Sequence, residues 1–126
     1  MNDLLLSRIE NFSILTPEIQ VSFQKSLAYW NPEFPPLTIL FSAMANSFID
    51  EFDSIDEEVS KMVFEAIENM LEGEHPDLDI GASTGFLEAI VVNQNFSKKA
   101  KQMLGRKSRL FLKEWNKFTN VTDYDL

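Results

Sequence analysis

Cysteine is absent from this chain, and histidine occurs once, at position 75. Without thiols there is no disulfide framework, no thiolate zinc site and no thiol nucleophile, a composition that fits a reducing, cytoplasmic setting. Bases are nearly missing from the first 95 residues, where Arg8, Lys25 and Lys61 stand against 17 acids, a net of −14. A body of that charge repels nucleic acid at long range and attracts basic surfaces. Long hydrophobic runs are lacking too, since nothing approaches the ~18 apolar residues of a membrane span. The opening "MNDLLLSRIENF" has no basic start and no cleavage pattern, so no signal peptide is expected.

What is present suits one globular domain. A chain of 126 residues, 44% hydrophobic and with 11 phenylalanines, can bury a single real core. Its four glycines and five prolines mostly fall where helices would start or stop. The remaining bases gather late: residues 96–126 carry eight Lys or Arg against Glu114, Asp123 and Asp125. That late section either meets an anion as a second site or folds back across the acidic body.

The apolar residues recur at helical spacing almost throughout. Leu5, Leu6 and Ile9 predict a short first helix ending near Asn11. In "TPEIQ", Thr16 is placed as an N-cap and Pro17 at the first helical position, with Ile19, Phe23, Leu27 and Trp30 on one face. The prolines of "NPEFPP" interrupt. From Leu37 to Phe52 a broad apolar stripe predicts a third helix. Ser54 and Glu57 read as a capping box for a fourth, which buries Ile55, Val59, Met62, Val63, Ala66, Ile67, Met70 and Leu71 and stops at Gly73. In "IGASTGFLEAIVVNQ", Gly81, Gly85 and Ala89 lie four apart, a spacing that lets a neighbouring helix come close. The run Ile90, Val91, Val92 keeps a strand as a minor alternative there. Ser97 caps a short helix ending at Gly105, and a last one from Arg106 to Phe118 is expected to bury Phe111, Trp115 and Phe118. The fold class predicted is all-α, a single domain of six to seven helices over residues 1–120, with stacked helical hairpins as one arrangement and a flexible tail at 121–126.

Chemistry is harder to find. In "DEFDSIDEEVS" six of eleven residues are carboxylates, yet every register fails as a calcium loop, because the sixth residue is never Gly and the twelfth never Glu. Glu72 and His75 match Glu-x-x-His, but a di-iron site needs a second such pair and the chain has one histidine. A nucleophile elbow is missing, and "GRKS" at 105–108 lacks the upstream glycine of a phosphate-binding loop. Two carboxylates of the glycosidase kind have no specificity among 20 acids. No cofactor, no metal and no catalytic residue are expected, and the chain is not read as an enzyme. Glu88, alone within "FLEAIVV", either faces solvent or is buried and paired, with Arg106 or Arg109 as candidates.

The acids point instead to a partner. Glu57, Lys61, Glu65, Glu68 and Glu72 share one face of the fourth helix, opposite its apolar stripe. Asp50, Glu51, Asp53, Asp56 and Glu58 lead into that face, and Glu74, Asp77 and Asp79 follow it. Glu68 and Glu72 add negative charge where the helix dipole is already negative, a cost that a sequence tuned for stability alone would relieve with lysine. Tyr29, Trp30 and Phe34 beside the proline-rich bend are candidate anchors for the same interface. A plain solvated surface is the alternative explanation of the acids. A basic protein partner is the expectation, with no nucleic acid and no membrane.

The order "ENF…TPEI…FPPLTILFSAMANSFIDEF…MVFEAIENMLEGEHPDLDIGASTGFLEAI…AKQMLG" resembles a family of small bacterial domains of unknown function, over about residues 10 to 105. Matched positions are Glu65, Ile67, Leu71, Asp79, Phe86, Leu87, Glu88 and Gly105, while Gly81 and Gly85 depart from the strand-like or glycine-free version of the fifth helix common in relatives. Some relatives look like immunity proteins of contact-dependent growth inhibition systems. The resemblance implies a cytosolic immunity protein that occludes a basic toxin domain, a nuclease by preference, through the acidic helix face. The alternatives are a helical adaptor for another basic partner and a carboxylate-based hydrolase.

Overall fold

A computed structural model describes residues 1–119. The expectation of a flexible tail at 121–126 lies outside the described residues. Seven helices make up the described chain: α1 (Asp3–Ser13), α2 (Pro17–Trp30), α3 (Leu37–Asp50), α4 (Glu57–Met70), α5 over residues 76–92, α6 (Lys98–Gln102) and α7 (Arg106–Thr119). No strand occurs among the described residues, so the all-α expectation holds and the strand alternative at Ile90–Val92 does not.

Most helices begin at a side-chain cap that the local sequence supplies. Asn2 Oδ1 accepts from the Leu4 and Leu5 amides at 2.7 and 3.1 Å, Thr16 Oγ1 from Ile19 at 3.0 Å, and Ser97 Oγ from Ala100 at 3.1 Å. The expected capping box at Ser54 and Glu57 is replaced by Asp56, whose Oδ1 accepts from the Glu58 amide at 2.9 Å. Ser54 closes a 3₁₀ turn, Phe52–Ser54, and donates to the Glu51 carbonyl at 2.9 Å. An ionised carboxylate next to the first turn both accepts the orphan amide and complements the helix dipole, which a hydroxyl does only in part. Gly73 lies two residues beyond the α4 cap Leu71 and takes φ +83°, the left-handed turn its sequence position suggested.

The centre of the core is α3. Leu40, Phe41, Met44, Ala45, Phe48 and Ile49 are all buried on it. Phenylalanines tie the neighbouring helices to this row: Phe12 stacks on Phe41 at 5.6 Å, Phe86 meets Phe12 edge-on at 5.9 Å, and Phe48 contacts Phe64 at 5.6 Å. Such ring pairs add to what burial alone contributes.

One side of α3 is pressed against α5 at its glycines. A Cβ on Gly81 would lie 2.8 Å from the Phe41 ring, and one on Gly85 would lie 2.7 Å from Phe41 Cβ and 3.1 Å from the Thr38 carbonyl. Here α5 changes from Pro76–Ile80 in α geometry to a π-helical segment, Gly81–Leu87, before returning to α geometry over Glu88–Val92. Widening the helix shifts its backbone partners, as the Glu88 amide donates to the Ser83 carbonyl five residues back. Ser42 of α3 donates to the Gly85 carbonyl at 3.0 Å, so the seam is bonded as well as packed.

At the far end the expected burial of Phe118 is wrong. Phe118 is 88% exposed, and α7 instead buries Ser108 and Leu112, with Phe111 and Trp115 half-buried beside them. The apolar face of α7 gives out before its last turn. Met62 of α4 is likewise 51% exposed, at the edge of the stripe that Val63 and Ile67 bury.

Alanine at position 85 has the better intrinsic helix propensity by about 1 kcal/mol. Backbone atoms of α3 nevertheless stand where its methyl would go, so Gly85→Ala is expected to lower the unfolding free energy by about 1–3 kcal/mol in urea denaturation. A stabilised variant would contradict the close seam.

Candidate functional site

The acids that the sequence places on a single face of α4 are divided by the fold. At the late end of α4, Glu68 turns to the start of α7. Its carboxylate accepts from the Lys107 amide at 2.7 Å, the Ser108 amide at 3.1 Å and the Ser108 hydroxyl at 2.9 Å. Glu68 therefore acts as an N-cap supplied from another helix, satisfying amides that α7 cannot satisfy itself. Gly105 lies directly beneath this carboxylate, and a side chain there would collide with Glu68. Lys107 reaches on to Glu72 with Nζ–Oε2 at 2.6 Å. Early in α4, Lys99 approaches Glu57 at 4.0 Å. Across the loop that follows α4, Arg8 pairs with Glu74 at 2.7 Å.

The late bases are therefore partly compensating charges. Arg109 donates to the Leu104 and Lys101 carbonyls at 3.1 and 2.8 Å, closing the end of α6. Glu68 and Glu72, expected to be open to a partner, are engaged by the chain's own α7. The physical reason is the one noted from sequence: negative charge at the negative end of α4 requires relief. The fold supplies that relief from the positive start of α7, 39 residues away.

Other acids remain outside. Asp50, Glu51, Asp53, Asp56, Glu57 and Glu58 are all exposed around the corner between α3 and α4, and Glu65 is exposed further along α4. Asp50 has structural partners of its own, accepting from the side-chain amides of Asn93 and Asn95 at 3.0 Å each. These bonds, that of Asn95 first, hold its carboxyl below the usual aspartate range and keep it ionised. No base lies in the last turn of α3 to balance it.

The aromatic anchors are divided as well. Tyr29 and Trp30 meet at 6.1 Å between ring centroids and line a groove between α2 and α3, together with Val21, Lys25, Ile39 and Ser47. Val21 and Ser47 continue into a second hollow walled by Glu18, Asp50 and Glu51. The two helices run antiparallel, so the groove is apolar at the Tyr29 end and acidic at the Asp50 end. Phe34 is elsewhere, half-buried in a cleft with Leu5, His75, Asp77 and Ile80. Asp79 is half-buried on α5.

Neither member of the notional Glu-x-x-His pair is idle. Glu72 holds Lys107, and His75 Nδ1 accepts from the Asp77 amide at 3.1 Å as the cap of α5. Among the described residues no three His, Asp or Glu side chains converge at metal-binding range. Glu88 is half-buried, and its hydrogen-bond partners include Thr84 and Trp115. Burial raises its carboxyl above the ordinary range, and those two hydrogen bonds only partly offset the effect.

These features define an acidic, all-helical domain. The family model of a domain of unknown function, DUF7674, matches residues 9–120, and the chain belongs to that family. Comparison with curated proteins and with solved structures finds no match. Among the described residues no helix is long and apolar enough to cross a membrane.

Two expected outcomes follow from this geometry. Glu68→Ala removes three acceptor contacts and is expected to cost about 1–3 kcal/mol in denaturant unfolding, whereas Glu65→Ala changes stability by less than about 0.5 kcal/mol. Because the Glu88 carboxyl is raised in the folded state, its contribution favours folding at low pH. That contribution is lost as pH rises through the ordinary glutamate range toward the folded value. Glu88→Gln should therefore stabilise the domain at pH 7, with the gain shrinking as pH falls from the raised folded value through the ordinary glutamate range. Thermal melts across pH 3–8 check this, and a variant less stable at every pH contradicts it.

Proposed function

We propose that this chain is a binding protein without catalytic chemistry of its own, one that captures a basic protein partner at the acidic corner between α3 and α4. The observation that supports this most is the exposure of six acids at that corner, two of which, Glu57 and Glu58, meet a lysine. Glu68, Glu72 and Glu74 each receive a cation or an amide, whereas Asp53 and Glu65 are exposed and no base among the described residues pairs with them. Carboxylates held in mutual repulsion are a standing cost that a basic guest relieves.

The specific form of the proposal is a cytosolic immunity protein that occludes a toxin domain, a nuclease by preference. A cleft that binds polyanions is basic, and a rigid row of carboxylates can occupy it while offering no bond to cleave. Opposite charge raises the rate of encounter, and apolar anchors lengthen the complex's lifetime. Membership of a family of unknown function is compatible with this role and assigns none.

The test is titration of the chain with the basic toxin domain encoded beside it. A one-to-one complex that suppresses the toxin's activity is expected, with an association rate that falls as salt rises. Asp53→Lys, Glu58→Lys and Glu65→Lys together should slow association about tenfold or more. A chain that gives no complex, or whose complex is indifferent to those three changes, refutes the proposal.

A further inference from the structure

Charge at the corner accounts for steering, but a lasting complex also needs a place for the partner's apolar surface. The α2–α3 groove has the composition of such a place. Val21 and Ile39 are each 48% exposed and Tyr29 is 84% exposed, on two helices that otherwise bury Ile19, Phe23, Leu40 and Phe41. Trp30 lies half-buried beside Tyr29, and aromatic side chains of this kind are the commonest anchors of protein interfaces. Through Val21 and Ser47 the groove runs into the hollow bounded by Glu18, Asp50 and Glu51, so its apolar floor is continuous with the acidic corner.

Resting on the reading above, we propose that this groove receives one helix of the partner protein, apolar on one face and carrying a lysine or arginine at the end that lies over Asp50 and Glu51. A helix fits because two antiparallel helices present parallel ridges with a furrow between them, which accepts side chains at i, i+3, i+4 and i+7. The furrow follows the 14 residues of α2, roughly 20 Å at 1.5 Å per residue, room for three to four turns of guest. Polarity is set by charge complementarity. The acidic end gathers Glu18, Asp50 and Glu51, and no base lies in the last turn of α3. Lys25 lines the middle of the furrow and disfavours a second base there. Asn93 and Asn95 fix the Asp50 carboxylate in place, so the guest's cation meets a positioned charge.

The experiment uses a synthetic leucine–lysine peptide of about 18 residues with its leucines on one helical face, together with oligolysine and a leucine–glutamate peptide of equal length. Binding is followed residue by residue through the amide signals of the ¹⁵N-labelled chain. The leucine–lysine peptide is expected to shift Val21, Tyr29, Ile39 and Asp50. Tyr29→Ala combined with Ile39→Glu should weaken it about tenfold while the thermal melt is retained. Shifts confined to residues 53–58, with oligolysine bound equally well, overturn the groove and leave the basic-partner reading standing. Equal binding of the leucine–glutamate peptide overturns the charge selection. Groove shifts that grow with protein concentration alone assign the surface to a second copy of this chain and overturn the proposal. Binding by none of the peptides counts against both readings.

Discussion

The contact on which the arrangement depends is Phe41 seated over Gly81 and Gly85. It brings the backbones of α3 and α5 closer than any pair of larger residues would permit, and the Ser42 bond to the Gly85 carbonyl fixes the register. With α5 locked on one side, α3 presents its other side to α2, and the groove between them follows. The same seam carries Phe86 into contact with Phe12 and Phe48, linking α1, α3 and α5 through one set of rings. The π-helical stretch lies at this seam, where ordinary α geometry has given way to the demands of packing.

Electrostatics divides the surface in a second way. A strongly acidic helix that kept all its carboxylates in water would repel itself along its length. Instead α7 folds back so that its positive start meets Glu68, and Lys107 extends the contact to Glu72. The negative charge left over lies at the opposite end of α4 and at the end of α3. Exposed pairs such as Lys61–Glu58 and Lys117–Glu114 add little stability, being solvated and screened. The acids that α7 does not reach are thereby set apart from those it engages.

Much of the fold was legible in the sequence because its signals are local. Thr16 and Ser97 cap amides three residues on, and the glycines of α5 announced a close approach before the neighbour was known. The apolar stripe from Leu37 to Phe52 predicted a helix with a broad buried face, which α3 has. What escaped was non-local or a matter of one residue. Nothing near Glu68 tells that its carboxylate caps α7, because the partner amides lie 39 and 40 residues away. Asp56 and Ser54 both suit a helix start, and only the 3₁₀ turn at Phe52–Ser54 decides between them. Phe118 fits the period of its helix but lies past the point where the core ends. Of the candidate site, Tyr29 and Trp30 lie along one furrow with Asp50 and Glu51, at its opposite ends, while Phe34 joins a different cleft and Glu68 and Glu72 are engaged by α7.

The account's central claim is that α3 is held on α5 by a glycine seam, which leaves its opposite side to form a groove with α2. A ¹³C-edited NOESY spectrum of the free chain tests it most directly. The claim predicts strong cross-peaks from Gly81 Hα to the Phe41 ring and from Gly85 Hα to Phe41 Hβ. Their absence, with the Phe41 ring instead showing contacts to residues of α2, would contradict it.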